Sequence, residues 1–227
     1  MCIRDRGYEE RATALERARA AAQERAAAAA TTLSAARRQA AGPLSEAVTG
    51  HLRDLAMPKA RLTVVLEPAP MTEDGADAVT FLLAPNPGEP PKPLARAASG
   101  GELSRAMLAL RLVLTEGPPS LVFDEVDAGI GGEAGTAVGR LLADLVPRHQ
   151  VLCVTHLAQV AAYAQTQVAV EKLEQHGRTV ARAAVVEGED RVVELSRMLA
   201  GLGESAHARR HAAELLERAA DARPVPS

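Results

Sequence analysis

The first forty residues follow one helical pattern. Neither Pro nor Gly occurs between Tyr8 and about Ala41, and small or apolar residues recur there at alternating steps of four and three positions. The positions of this seam are Tyr8, Ala12, Leu15, Ala22, Ala26, Ala29, Leu33, Ala36 and Ala40. The spacing predicts one helix of a coiled-coil arm, interrupted only by Arg19, and its thin alanine stripe needs a partner helix. A lone solvated helix is the alternative, because helix propensity alone permits it.

Two features bound this predicted arm. Met1 to Gly7 is charged and out of phase with the seam, so we expect that it is not a natural protein start. Gly42-Pro43 is expected to break or kink the helix, with Pro43 at the first position of a second helical stretch that reaches about Ala56.

The period changes from helix-like to strand-like after Pro58. Residues 62–66 and 78–83 are predicted strands joined across an Asp74-Gly75 turn. The proline-rich run 86–93 is predicted to be an extended loop. A helix over 102–115 follows, and its spacing turns four side chains toward a core, namely Leu103, Met107, Leu110 and Leu114.

Polar side chains follow two predicted strands at the point where each strand ends. The apolar strand 121–123 runs into Asp124-Glu125, a helix over 133–145 follows, and the strand 150–154 ends at Thr155-His156. A strand, a crossover helix and a second strand make a parallel pair, whose carboxyl ends lie at one edge of the sheet. Ligands of α/β sheets bind at that edge. We therefore expect Asp124, Glu125 and His156 to lie close together.

The last third of the chain predicts a strand pair and two helices. The strands cover 167–172 and 179–186 and turn at His176-Gly177, and the helices cover 189–199 and 205–220, the second capped by Ser205. His207 and His211 have the spacing of two metal ligands, but without a nearby Glu or Cys set they are interpreted as surface residues.

A glycine-containing stretch, Ala98 to Arg105, has two interpretations. Two glycines followed by a helix that begins at about Glu102 could hold a phosphate, because free N–H groups and the positive end of the helix dipole attract anions. Ser99 and Glu102 also have the spacing of a capping box, which needs no ligand.

Composition narrows the class of protein. The chain has 227 residues, a net charge of -3 and 2% aromatic residues, so a basic signature for nucleic acid is absent and any DNA contact must be local. The clusters Arg37-Arg38 and Arg209-Arg210 are interpreted as solvated helix faces.

Cys2 and Cys153 match no metal or redox spacing and are expected to be inert thiols. No apolar run suits a membrane span or signal peptide, which predicts a cytoplasmic protein without a membrane partner.

Several of these motifs together resemble the carboxyl-terminal part of the RecN family of bacterial DNA repair proteins, relatives of the SMC proteins. The matching strings are Asn86-Pro87-Gly88-Glu89, Pro93-Leu94-Ala95, Ala98-Ser99-Gly100-Gly101-Glu102-Leu103-Ser104-Arg105, Phe123-Asp124-Glu125-Val126-Asp127-Ala128-Gly129-Ile130-Gly131-Gly132, Thr155-His156-Leu157-Ala158-Gln159 and Arg197-Met198-Leu199-Ala200-Gly201. The resemblance implies an α/β fold, the carboxyl-terminal lobe of an ABC/SMC-type P-loop ATPase head, with a parallel sheet and flanking helices after a coiled-coil helix. Residues 1–57 would be the arm helix, and 58–227 the head lobe with the signature motif, the Walker B strand and the His switch.

The resemblance also implies roles at an ATP site. Ser99, Gly100, Gly101 and Glu102 would form the signature that meets the γ-phosphate of ATP held by another protomer. Asp124 would hold Mg²⁺ through water, and Glu125 would orient and deprotonate the attacking water. Asp127 would couple the two sites, and His156 would contact the γ-phosphate or the water. A surface acid is the alternative for Glu125, and a capped strand end is the alternative for His156.

Parts of the family pattern are absent. Gln165-Thr166-Gln167 stands where an Asp and a His are expected, and none of the three lysines, Lys59, Lys92 and Lys172, completes a G-x-x-x-x-G-K-[ST] phosphate loop. The phosphate loop and the opposing arm helix are therefore expected in a missing amino-terminal half.

The resemblance implies a nucleoid-associated ATPase of double-strand break repair. Its heads would form a homodimer around ATP, and its arm would contact DNA. This chain alone is expected to be nearly inactive. The ATPase subunit of an ABC transporter and a non-enzymatic coiled-coil module are the alternatives.

Overall fold

The computed structural model describes residues 3–96, 100–114, 116–175, 178–201 and 205–222. These residues form two compact units, one from the residues up to Glu46 together with Thr63–Leu82, and the other from Ala47–Leu62 together with the chain from Leu83 onward. Each unit is described by itself. The predicted boundary between residues 57 and 58 stays a prediction.

The helix α1 (Ile3–Asp54) is continuous through Pro43, so Gly42-Pro43 does not break it, and the alternative of a kink there stays a prediction. A proline inside a helix removes one N–H donor and weakens the helix. Packing compensates for this loss, because side chains are buried before the proline, at Ala30 and Ser34, and after it, at Val48 and Leu52.

The first unit joins α1 to the strands β1 (Arg61–Thr72) and β2 (Gly75–Ala84), which are neighbours in one sheet. The predicted turn between β1 and β2 is confirmed. Gly75 has φ +109, and a Cβ there would lie 3.0 Å from Leu33 Cδ2, so both the backbone and the space favour glycine.

A buried carboxylate, Asp77, lies between α1 and the β1–β2 turn. Ser34 Oγ donates to Asp77 Oδ2 at 2.6 Å, and Arg37 Nη1 donates to the same oxygen at 3.4 Å. The Ser34 hydrogen bond is the main cause that lowers the pKa of Asp77, against the effect of burial and with help from Arg37 and Arg38. Arg38 is 65% exposed, as predicted, but the prediction of a solvated face is wrong for Arg37, which is only 27% exposed.

The face of α1 that packs in this unit is not the predicted seam. Ala30 and Ser34 are buried, whereas the seam positions Ala29 and Leu33, one residue earlier, are exposed. The seam therefore stays available for the predicted partner helix.

Five further strands and five further helices follow β2 in the described ranges of the second unit. In chain order they are β3 (Lys92–Pro93), a 3₁₀ turn (Leu94–Arg96), α2 (Gly100–Val113), β4 (Ser120–Phe123), α3 (Gly132–Ala143), β5 (Gln150–Cys153), α4 (Ala158–Ala161), β6 (Gln167–Gln175), β7 (Arg178–Val186), α5 (Gly188–Ala200) and α6 (Ala206–Asp221). The sequence did not predict β3, the 3₁₀ turn or α4, which are all four residues or shorter.

Strand pairing in the second unit follows the prediction. The strands β4 and β5 are parallel, with Ser120 opposite Gln150 and Phe123 opposite Cys153, and β6 and β7 are antiparallel, with Gln167 opposite Val186. The predicted turn at His176-Gly177 lies outside the described residues. The apolar core beside α4, α5 and α6 is rich in alanine and contains Ala158, Ala161, Ala162, Leu195, Ala212, Leu215 and Ala219.

Two details of the helices differ from the sequence prediction, and one agrees with it. In α2, Leu110 is buried as predicted, but Met107 is exposed, as is Leu114 just beyond the end of the helix, and the buried face instead contains Gly101, Arg105, Ala106, Leu108 and Ala109. Ser205 occupies the N-cap of α6, but its side chain makes no capping hydrogen bond to the first turn. His207 and His211 are exposed, as predicted.

Among the described helices, none combines the length and apolar character needed to cross a membrane.

Candidate functional site

The carboxyl ends of β4 and β5 lie side by side, as the sequence predicts. Val154 N donates to Phe123 O at 2.9 Å, which extends the parallel ladder by one step beyond β5. The chain then leaves β4 at Asp124-Glu125 and leaves β5 at Thr155-His156. Asp124, Glu125 and His156 are all exposed at this edge of the sheet.

Glu125 has an unusual backbone conformation. Its φ is 57°, in the left-handed region that a residue with a Cβ rarely adopts. Its N–H donates to Asp124 Oδ1 at 3.0 Å, and its carbonyl accepts from Ala128 N at 3.0 Å. These bonds hold a tight turn that separates the two carboxylates from the end of β4, and strained backbone of this kind is typical of functional sites.

Asp127 joins the two strand ends. Its side chain is 3% exposed, and its Oδ2 atom accepts from Thr155 Oγ1 at 2.5 Å and from His156 N at 2.9 Å. His156 Nδ1 lies 3.1 Å from the same oxygen. The loop after β4 is thus fixed to the loop after β5 by one carboxylate.

The only described cysteine lies on β5 next to these acids. Burial is the main cause that raises the pKa of the Cys153 thiol to about 12, and the charges of Asp127 and Asp124 act in the same direction. The thiol therefore stays protonated at neutral pH, which agrees with its predicted inertness. Cys2 lies outside the described residues.

Helix α2 packs on the acidic loop through two polar side chains. Ser104 Oγ donates to Asp124 O at 2.5 Å, and Arg105 Nη1 donates to Ala128 O at 2.8 Å and to Val126 O at 3.4 Å. Arg105 is buried, and burial lowers its pKa while Glu102 acts in the opposite direction. These contacts explain why the buried face of α2 differs from the predicted one, since the helix packs on a loop and not only on apolar side chains.

The two glycines of the predicted signature differ in the space around them. A Cβ on Gly100 would meet only the carboxylate of the exposed Glu125 side chain, which can move aside, whereas a Cβ on Gly101 would lie 2.9 Å from Ala128 Cβ and 3.1 Å from Ala128 O. Helix α2 already begins at Gly100, two residues before the predicted start. Ser99 lies outside the described residues, so its predicted capping bond with Glu102 and its phosphate contact stay predictions.

The structure therefore brings most of the predicted site residues together within one chain. Gly100 faces Glu125, Gly101 faces Ala128, and Asp127 binds the residues that follow β5. Three polar residues of this arrangement, Ser104, Arg105 and Thr155, had no predicted role. The only sequence signal for Thr155 is a local one. Its hydroxyl can accept a hydrogen bond from the backbone N–H two residues later, and it does so from Leu157 N at 3.0 Å.

Gln167, where the sequence departs from the expected family pattern, has a structural contact. Its Oε1 accepts from Arg191 Nε at 3.2 Å, and Arg191 Nη2 also donates to three carbonyl oxygens near the end of α4. Gln167 is buried and is used to hold α5 against α4 and β6, so it takes no part in the edge that carries Asp124 and Glu125.

One face of the parallel strand pair is uncovered in the described residues. Leu121 and Phe123 are buried, but Val122 is 70% exposed, and Leu152 and Val154 on the neighbouring strand are also exposed. The prediction that 121–123 is a buried strand therefore holds for one face only.

A cavity of about 470 Å³ lies along β5 and has mostly apolar walls that include Leu142, Val151, Leu152, Tyr163 and Val168. Parallel sheets are normally covered on both faces.

The fold is that of an SMC head domain. The structure matches the Smc head domain with a coiled coil and joint from Pyrococcus yayanosii, with a TM-score of 0.50 and 22% sequence identity, over 68% of this chain and 28% of that one. No protein-family model matches the chain.

Sequence similarity identifies the particular family. The chain is 49% identical to the DNA repair protein RecN of Streptomyces coelicolor over 81% of its length, 47% identical to RecN of Deinococcus radiodurans over 80%, and 43% identical to RecN of Mycobacterium tuberculosis over 93%. It belongs to the RecN family and matches the carboxyl-terminal part of its members. The chain spans 35%, 32% and 40% of the lengths of these three relatives.

Proposed function

We propose that this chain is the carboxyl-terminal lobe of an ATP-hydrolysing, SMC-like head that acts in the repair of DNA double-strand breaks. The observation that carries the proposal is one edge of a parallel sheet where Asp124, Glu125 and His156 lie together, with the signature helix α2 bonded to the same loop. The relatives are named as DNA repair proteins, which favours this function over an ABC transporter subunit.

The residues at this edge fit a nucleotide with Mg²⁺. Magnesium is commonly held by one or two carboxylates together with phosphate oxygens and water, and two exposed carboxylates follow β4. The start of α2 would meet the nucleotide of a second copy, and the Glu125 carboxylate, which lies against Gly100, would first have to move aside. MgATP would supply the transferable phosphoryl group, and Asp124 would hold the metal through water.

The chain's own residues would position the reactants. Glu125 would accept a proton from the attacking water, because its carboxylate is exposed at the edge directly after Asp124. His156 would contact the γ-phosphate or the water. Phosphoryl transfer needs this kind of positioning and charge neutralisation more than covalent chemistry.

A complete site would need two further components. The sequence has no phosphate-loop lysine, so we propose that an amino-terminal half of the protein supplies the phosphate loop and covers the exposed face at Val122, Leu152 and Val154. Ser99, Gly100, Gly101 and Glu102 would contact ATP held by a second copy, so that two heads dimerise around nucleotide. The exposed seam of α1 would pair with the opposing arm helix.

DNA, the proposed partner, has no assigned contact residue. Arg37 is already bound to Asp77 and to the Asp74 carbonyl, so it is not assigned to DNA. The protein would act in the cytoplasm, at the nucleoid. A non-enzymatic coiled-coil module is the weaker alternative, because it gives no reason for the strained Glu125 backbone.

The experiment is the Glu125→Gln substitution in a full-length RecN protein that carries this sequence as its carboxyl-terminal part. We expect ATP binding to persist, hydrolysis to fall by about 100-fold or more, and dimeric heads to accumulate. Glu189→Gln, on the exposed start of α5, is the matched control and should hydrolyse ATP at the wild-type rate. Unchanged turnover in Glu125→Gln would remove Glu125 from this role.

A further inference from the structure

One carboxylate oxygen gathers three groups from the residues that follow β5. Asp127 Oδ2 accepts from Thr155 Oγ1 at 2.5 Å and from His156 N at 2.9 Å, and it lies 3.1 Å from His156 Nδ1. The Asp127 side chain is 3% exposed, whereas the His156 side chain is 70% exposed. The side of His156 that faces Asp127 is therefore held by that carboxylate, and the opposite side of the ring is exposed to solvent.

The distance between Nδ1 and Asp127 favours a proton on that ring nitrogen. An ionised carboxylate only accepts hydrogen bonds, so a lone pair on a nitrogen 3.1 Å from Asp127 Oδ2 would be repelled, whereas an N–H would be attracted. This contact favours Nδ1–H in the neutral ring and leaves Nε2 without a proton. The backbone N–H of His156 donates to the same oxygen, which keeps the ring close to Asp127.

Thr155 fixes the carboxylate in turn. Its hydroxyl donates to Asp127 and accepts from Leu157 N at 3.0 Å, at the residue that precedes α4. A hydroxyl has one donor, and the accepted bond from Leu157 leaves this donor directed at Asp127. The chain of contacts runs from the start of α4 through Thr155 and Asp127 to the ring of His156.

We propose that Thr155 and Asp127 are positioning residues that hold His156 as its Nδ1–H tautomer, with Nε2 presented at the sheet edge beside Asp124 and Glu125. The consequence for ATP hydrolysis rests on the proposed function, whereas the tautomer does not. In this arrangement the Asp127 carboxylate is occupied within its own chain, so any contact between protomers at this residue would use its backbone.

The direct test is NMR of the imidazole nitrogens in the purified chain labelled with ¹⁵N-histidine, in alkaline buffer, with His156→Gln to assign the signals. We expect the Nδ1–H tautomer to dominate at His156 in the wild type, although free histidine favours Nε2–H. Asp127→Asn should shift the balance toward Nε2–H, Thr155→Val should do so partly, and Thr155→Ser should keep the wild-type tautomer. A dominant Nε2–H form in the wild type, or an unchanged tautomer in Asp127→Asn, would overturn the proposal.

The second test uses ATP turnover by the full-length protein. Thr155→Val should lower kcat by about 10-fold with little change in KM, by analogy with partners that orient a histidine ligand, and Thr155→Ser should restore it. Thr136→Val is the matched control, because this hydroxyl donates only to Gly132 O inside α3, and it should leave kcat unchanged. Wild-type kcat in Thr155→Val would contradict the positioning role. Absence of turnover in the wild-type protein together with the Nδ1–H tautomer would contradict the proposed function alone.

Discussion

Two buried aspartates in this protein have the same local chemistry and different surroundings. Asp77 in the first unit and Asp127 in the second have side chains that are each 3% exposed. Each accepts a short bond from a hydroxyl, from Ser34 at 2.6 Å and from Thr155 at 2.5 Å. The further partners of Asp77 are two arginines, Arg37 at 27% exposure and Arg38 at 65%, and the further partner of Asp127 is a histidine at 70%.

This difference separates a structural carboxylate from one that serves a site. The Asp77 cluster joins α1 to the β1–β2 turn, and all its partners serve that packing. The Asp127 cluster joins two strand ends and directs one of its partners toward solvent. The two carboxylates therefore differ in where their exposed partners lie, since Arg38 lies on the arm helix and His156 lies at the ends of two parallel strands.

The largest expected effect concerns stability after loss of the Asp127 carboxylate. Asp127→Ala would leave the Thr155 hydroxyl and the His156 N–H without their acceptor, and we expect the free energy of unfolding to fall by about 2 kcal/mol. Asp77→Ala should cost less, because Arg37 is 27% exposed and can turn toward water. Urea unfolding measures both, with Asp144→Ala, an exposed residue after α3, as a control within about 0.5 kcal/mol of the wild type. A larger loss in Asp77→Ala would reverse the comparison.

A smaller effect is expected in acid. Because the pKa of Asp77 is lowered, chiefly by the Ser34 hydrogen bond, its ionised form stabilises the fold above the unfolded pKa of about 3.9, and this contribution is lost as the pH falls through the lower folded value. Asp77→Asn removes the titrating group. The difference in Tm between wild type and Asp77→Asn should therefore shrink as the pH falls below about 4, and a difference that grows in acid would contradict this assignment.

The smallest effect concerns the thiol next to Asp127. With its pKa raised to about 12, Cys153 should react much more slowly with iodoacetamide at neutral pH than free cysteine does. Asp127→Asn should speed this reaction modestly, because burial, the larger cause, remains. Mass spectrometry in a Cys2→Ser background follows the single thiol, with Asp77→Asn as the control that should not change the rate. Equal rates in Asp127→Asn and wild type would show that the Asp127 charge does not reach the thiol.

The sequence predicted the edge of the parallel sheet well because its signals are local. An apolar run that ends in Asp124-Glu125 and another that ends in Thr155-His156 define two strand ends, and one crossover helix makes the pair parallel. The helices α3, α5 and α6 were likewise predicted within a few residues, since their periodicity is local too.

The features that the sequence did not predict depend on partners far along the chain. The buried face of α2 is set by Arg105 and the carbonyls of Val126 and Ala128, which lie more than twenty residues away. The continuity of α1 past Pro43 depends on packing that outweighs the local cost of proline. The role of Thr155 needs Asp127, 28 residues earlier, and no local pattern gives that contact.

The most direct test of the account compares ATP hydrolysis by this chain alone with hydrolysis by a full-length RecN protein that contains it. The lobe has the carboxylates and the signature but no phosphate-loop lysine, so we expect the chain alone to bind ATP weakly and to show no turnover above background. The full-length protein should bind and hydrolyse ATP. Robust hydrolysis by the purified chain alone would contradict the claim that it is one half of the site.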